Sequence, residues 1–142
     1  MTRVPWPSAQ LLTLSESECR VLLDQCVIGR VIISVNALPA AFPVNYIVVG
    51  NSIVFRTDIG TKLGAALDGV VVGFEVDDVM PSTQTGWSVL VVGISSVVSD
   101  PTKLERLGEQ HFETWIGGIL PHFVEISIDQ ISGRRVAEHH LR

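Results

Sequence analysis

The sequence predicts a mainly β domain: a six-stranded antiparallel barrel, closed or split, with a few α-helical additions. Three observations point there. Six short segments rich in branched and aromatic residues follow one another at short spacing. Helical patterns occur at the front of the chain, once after the third strand and once after the fifth, so there is no regular β-α-β alternation. No G-x-G-x-x-G follows any strand, which argues against a dinucleotide fold of the doubly wound kind.

Taken in order, residues 1–13 read as an extended N-terminal arm punctuated by Pro5 and Pro7. Ser15-Glu16-Ser17-Glu18 is a capping box, in which a hydroxyl and a carboxylate satisfy the free N–H groups of a helix start. That helix is expected to run to about Gln25 with Val21, Leu22 and Cys26 as its apolar stripe. Strands are predicted over 30–35, 41–49 and 52–57, with a turn at 36–39 and a two-residue hairpin at Gly50-Asn51. A helix over 61–67 is expected to end at Asp68-Gly69. The fourth strand, 70–76, is apolar at nearly every position; 77–85 reads as a polar loop. A long fifth strand covers 86–99, with Gly93 as a bulge or bend. Pro101 opens a helix to about Leu107, a second helical piece covers 109–116, and the sixth strand covers 123–131. Residues 133–142 read as a polar C-terminal tail.

The 142 residues fit one domain, 1–142. Apolar residues are 46% and charged ones 18%, with mean hydropathy +0.39, so part of the surface must be apolar. In a small domain this suggests burial against a second copy, a homodimer. Charges or Gly and Pro interrupt every apolar run well short of the ~20 residues of a membrane span. The first ten residues lack the apolar core of a signal peptide, and a cytoplasmic location is the simplest expectation. A net charge of −5 with pI ≈ 5.2 gives no basic stripe for nucleic acid. Cys19 and Cys26 lie seven positions apart on one predicted helix, a rise of about 10.5 Å, too far for a disulfide. They read as small apolar residues.

The most informative local feature is a reversal of charge. Between Arg30 and Lys103 the only basic residues are Arg56 and Lys62, both within Ser52-Ile53-Val54-Phe55-Arg56-Thr57-Asp58-Ile59-Gly60-Thr61-Lys62-Leu63. Strand, tight turn and helix start would bring a guanidinium, an ammonium, the hydroxyls of Thr57 and Thr61 and free backbone N–H groups to one point. Such a point suits a phosphate. The bland reading makes Arg56 and Lys62 surface cations that neutralise Asp58 and Asp68, and Thr57 and Thr61 a strand end and a helix cap.

Several segments in order, Phe42-Pro43-Val44-Asn45-Tyr46, Val54-Phe55-Arg56-Thr57, Gly60-Thr61-Lys62-Leu63, Val72-Gly73-Phe74-Glu75-Val76-Asp77, Gly86-Trp87-Ser88-Val89 and Gly133-Arg134-Arg135, together resemble the pyridoxamine 5'-phosphate oxidase-like family of FMN-binding split barrels. The resemblance implies a homodimer with FMN in two equivalent clefts. It implies that Arg56, Thr57, Thr61 and Lys62 hold the cofactor phosphate and that Pro43, Val44, Asn45 and Tyr46 lie beside the flavin ring. It implies that Gly86, Trp87 and Ser88 close the site, often from the partner. The expected activity is that of an FMN-dependent oxidoreductase on a small organic substrate. This chain has a single Lys where the true oxidases show an Arg-Lys pair, and only part of their C-terminal signature. It looks closer to a small branch that includes nitroimidazole-reductase-like members, although Arg56 stands where those carry a His.

Alternatives remain open at individual residues. Asn45 in an apolar strand either bonds neighbouring backbone or reads a flavin edge. Trp87 is a barrel plug, a dimer anchor or a cofactor lid. His111, Phe112 and Trp115 suit core or interface packing, or a lid. Arg134 and Arg135 suit a salt bridge across a dimer, or contact with an anionic substrate. His122, His139 and His140 show no metal-ligand spacing, and no metal is expected. No Ser-His-Asp set, paired carboxylates or reactive Cys is evident, which accords with chemistry carried by a cofactor. Two rival readings keep the same barrel: a reductase using a deazaflavin in place of FMN, and a non-catalytic flavin- or haem-binding module.

Overall fold

Alternating burial along each β segment sets the architecture, because side chains two apart share one face of a strand. A computed structural model describes residues 10–58, 66–113, 115 and 120–137. Its elements are β1 (Gln10–Thr13), α1 (Glu16–Gln25), β2 (Ile28–Val35), β3 (Leu38–Val49), β4 (Ser52–Thr57), β5 (Val70–Met80), β6 (Thr85–Val97), α2 (Pro101–Gly108), β7 (His122–Ser127) and β8 (Gln130–Ala137). All strand pairings are antiparallel, and the order is β1-β8-β6-β5-β2-β3-β4-β7 with β7 also paired to β6. Strands β2 to β7 therefore close into a six-stranded barrel, and β8 and β1 extend the sheet beyond it.

The split lies in β6. Its first part pairs with β8 from Gly86↔Val136 to Val92↔Gln130, and its last part pairs with β7 from Ser95↔Ile126 to Val97↔Val124. Gly93 sits where the strand changes partner. A Cβ there would lie 1.6 Å from the carbonyl oxygen of Ser127, so only glycine allows the two strands to meet so closely. Gly50, at φ 60°, supplies the hairpin turn between β3 and β4.

Inside the barrel, Val31, Ile53, Phe55, Phe74, Val76, Val89, Val91, Val124 and Ile126 form the core with helix α1, which contributes Cys19 and Leu23. The capping box forms: Ser15 N–H donates to Glu18 Oε1 at 2.9 Å, and Glu18 N–H donates to Ser15 Oγ at 3.1 Å. A second cluster lies outside the barrel wall, where α2 brings Leu107 and Leu104 onto Val54, Val98 and Phe123.

Several boundaries differ from the expected ones. The arm pairs at Gln10–Thr13 with β8, and the predicted tail from 133 is instead strand up to Ala137. The predicted strand 123–131 breaks at Ile128–Asp129, whose N–H groups bond Asn51 O at 2.9 Å and Val92 O at 3.2 Å. The polar loop from 77 is the continuation of β5, since Asp77 and Asp78 pair with Ser88 and Trp87. No helix covers 111–113 or 115. In α1 the buried residues are Cys19 and Leu23, whereas Val21 is exposed.

Candidate cofactor site

At the end of β4, inward and outward residues alternate: Ile53, Phe55 and Thr57 face the barrel, and Val54 and Arg56 face out. Arg56 is paired in register with Phe123, and its guanidinium lies 4.9 Å from the centre of that ring. This is a cation–π contact. Phe112 backs the same ring at 5.8 Å between centroids. Among the described residues Arg56 has no ion pair with any carboxylate. Asp68, one of its two expected neutralising partners, instead accepts the Val97 N–H at 3.1 Å. A cation held by a ring and left with its donors available is what an anionic ligand requires.

Thr57 is buried beside it, opposite His122. One residue beyond the Tyr46–Phe55 pair, Asn45 faces the same side of the sheet as Arg56. It is buried, and its Nδ2 donates to Val27 O at 3.2 Å. Thr61 and Lys62 lie outside the described residues. The positions flanking that segment are fixed at this end of the barrel: Ser95 Oγ donates to Leu67 O at 2.6 Å, and Gly69 N–H donates to Ser95 O at 2.8 Å.

The remaining expected positions divide between the two faces of the sheet. Val44 and Tyr46 are core residues; the Tyr46 hydroxyl donates to Leu23 O, and its ring meets Phe74 edge-on at 4.8 Å. Burial drives the Tyr46 phenol far above its ordinary range, so it stays protonated and structural. Pro43 is exposed on the outer face, paired with Arg30. Gly86, Trp87 and Ser88 sit at the opposite end of β6. Around the barrel wall, Trp87 pairs with Asp78, β5 pairs with β2, Ile28 pairs with Asn45 and β3 pairs with β4, so four strand steps, about 19 Å of sheet at a spacing of about 4.8 Å, separate Trp87 from the end of β4.

At that far end an open groove of about 350 Å³ is lined by Asp78, Met80, Thr85, Trp87, Arg135 and Val136, with others. Asp78, Trp87 and Arg135 form one cross-strand row on β5, β6 and β8. The sequence reading placed Asp78 in a loop and Arg135 in a tail, so it missed this juxtaposition. The usable signal was parity: Gly133 and Arg135 share a face, and Gly133 must face inward because a Cβ there would strike Cys19 Sγ at 2.7 Å.

On the outer face of β2, β5 and β6, Ile32, Val71, Leu90 and Ile94 are exposed. Gly73 lies between Ile32 and Leu90, leaving a shallow apolar floor. At its margin Arg30 Nη1 contacts Glu75 Oε1 at 3.1 Å and Asp77 Oδ2 at 3.2 Å. Burial, then the hydrogen bond and charge of Asp77, push the Glu75 carboxyl up to about 7 against the opposing pull of Arg30.

Residues 15–135 match the pyridoxamine 5'-phosphate oxidase family. The chain belongs to that family. An uncharacterized protein of Mycobacterium tuberculosis is 34% identical over 137 residues, which span 93% of this chain and 90% of that one. Among solved structures, an FAD-binding protein from Mycobacterium smegmatis is 32% identical with TM-score 0.68, over 89% of this chain and 98% of its own. A candidate pyridoxamine 5'-phosphate oxidase from Corynebacterium glutamicum is 27% identical with TM-score 0.79, over 92% and 96%. For a member of the pyridoxamine 5'-phosphate oxidase family, this chain keeps one described cation, Arg56, at the strand end where the resemblance puts the cofactor phosphate.

Proposed function

We propose that the protein is a homodimeric flavin-dependent oxidoreductase acting on a small organic substrate, with FMN or FAD bound between two copies. The observation that carries the reading is Arg56: its guanidinium rests on Phe123 and pairs with no carboxylate among the described residues, in a family member with a flavin-binding relative. Arg56 and Thr57, with Thr61 and Lys62, would hold the phosphate, and Pro43 and Asn45 would border the ring on the outer side of β3. The partner's Trp87 would exclude water. A bound flavin would supply the electron-pair transfer, and the chain would supply binding, orientation and a dry cleft.

Arg56 faces out of the barrel and Trp87 packs against its core, which favours a site completed by a second copy. The apolar outer face around Ile32 and Ile94 is a suitable contact surface. A cytoplasmic location accords with this reading.

Absorbance of the purified protein tests the proposal. A flavin spectrum that bleaches under reductant, with a flavin released on denaturation, is expected. Colourless protein that binds neither FMN nor FAD would overturn it. Parallel titration with a deazaflavin separates that rival. Tight flavin binding without turnover, across common electron donors, would move the reading to a non-catalytic binding module.

A further inference from the structure

We infer that two copies of this chain join through the outer face of β2, β5 and β6, and that Glu75 gates the contact. The dimer tightens as pH falls below neutrality and loosens as pH rises above it. The inference rests on the homodimer reading and adds to it the groups that control its strength.

The gate sits at the margin of the apolar floor. Arg30, Glu75 and Leu90 are immediate neighbours across three strands, and the adjoining outward row sets Gly73 between Ile32 and Val92. One nitrogen, Arg30 Nη1, serves both Glu75 Oε1 at 3.1 Å and Asp77 Oδ2 at 3.2 Å, and the two carboxyls are also in hydrogen-bond contact. Two carboxyls bond each other only with a proton between them. With both ionised, one negative charge is left that a single guanidinium does not balance. The Glu75 side chain is only 23% exposed, so a covering partner takes its last water. That costs little for the protonated carboxyl and much for the ionised one.

No neighbouring element supplies a compensating charge. On β6, Leu90 stands opposite Glu75 and Ser88 opposite Asp77, and on β3 Pro43 stands opposite Arg30. Arg134 follows Ser88 on β8, two strand spacings or about 10 Å from Asp77, and makes no ion pair with it. In the single chain, burial and Asp77 already raise the Glu75 carboxyl to about 7, and covering the face raises it further.

A second copy is the occupant that fits. Arg30 and Arg134 equal Glu75 and Asp77 in number, so the face offers no net charge for an acidic or basic partner to select. Its exposed Ile32, Val71, Leu90 and Ile94 match the same residues turned about a two-fold axis. The row holding Glu75 also runs through Arg30 to Pro43, which the flavin reading sets at the border of the ring, so contact face and cofactor cleft are continuous.

The test is sedimentation equilibrium of the full chain as purified, at pH 6, 7 and 8 and one salt concentration. The wild-type dissociation constant should rise at least about tenfold from pH 6 to pH 8. Glu75→Gln, which keeps the shape and loses the titration, should dimerise equally at both. Val71→Glu, at a position 71% exposed in the single chain, should be monomeric at each pH. A wild-type constant that stays level or falls with rising pH would sink the inference and leave the homodimer reading intact. So would a Glu75→Gln protein that keeps the wild-type slope, or a Val71→Glu protein that dimerises at wild-type strength. Wild-type protein that is monomeric at every pH would remove both.

Discussion

Arg56 and Arg135 are both exposed arginines on strands, yet only one could be read from the sequence. Arg56 stood out because its signal is local: one of two cations in a long acidic stretch, just before a turn. Arg135 gains meaning only when β8 pairs with β6 and sets it beside Trp87. At this scale the first prediction concerns Arg56→Ala, which should weaken flavin binding by about 1.5–3 kcal/mol, the worth of a charge-assisted contact. Fluorescence titration measures it, with thermal unfolding close to wild type. Arg56→Lys should recover only part, because a point charge lacks the planar fork. Tyr46→Phe is different in kind. It leaves the buried carbonyl of Leu23 without its donor, and urea unfolding should show a loss of about 1–3 kcal/mol. Glu75 makes a pH prediction. Its folded carboxyl titrates near 7, above the ordinary 4.5, so the folded state holds the proton more firmly than the unfolded one. Stability from this group is complete below about 4.5 and is lost as pH rises towards and through 7. Glu75→Gln should flatten that slope in unfolding curves taken between pH 4.5 and 8. An unchanged slope would assign the pH dependence to other groups.

Elements whose signals are short-range were legible, and those decided by distant partners were not. Helix α1 was announced by its capping box, and the hairpin at Gly50 by its turn residues. The break between β7 and β8 was hidden, because alternation continues through Ser127 to Gln130 while the bend is fixed by carbonyls of Asn51 and Val92. Strand β8 passed for a tail because its inward side offers Gly133 where a large apolar residue would have been recognised. Thr61 and Lys62 keep the sequence reading as their sole support. Gly93 was expected as a bend and is the point where β6 changes partner. Gly93→Ala should therefore be severe. With backbone 1.6 Å from the new Cβ, either the β6–β7 pairing opens or the strand shifts, and a loss above about 3 kcal/mol or failure to fold is expected. Gly73→Ala meets its nearest neighbour at 3.4 Å, an ordinary contact, and serves as the control with little effect on monomer stability. Equal behaviour of the two variants in thermal unfolding would refute the close-crossing account.

On the scale of the whole molecule, the barrel separates what the proposed site must combine. Arg56 faces out of the wall on β4, and Trp87 packs against the core on β6, four strand steps away. The composition had hinted at a buried apolar face, and Ile94 at 50% exposed with Val71 at 71% is where that excess appears. That a second copy supplies Trp87 is what the family resemblance implies, since no sequence pattern encodes distance between subunits. Subunit mixing tests the arrangement directly. Arg56→Ala and Trp87→Ala proteins, each weak in flavin binding alone, are combined and allowed to exchange subunits. If each site takes Arg56 from one copy and Trp87 from the other, every mixed dimer holds one doubly damaged site and one intact site. Half the dimers in an equal mixture are mixed, so about a quarter of all sites should regain wild-type affinity. If both residues serve a site within one protomer, mixing repairs nothing, because every protomer still carries one defect. Flavin titration of the mixture against the two separate proteins distinguishes these outcomes, and size measurement confirms that exchange occurred. A Trp87→Ala protein that binds flavin as tightly as wild type would exclude Trp87 from the site altogether.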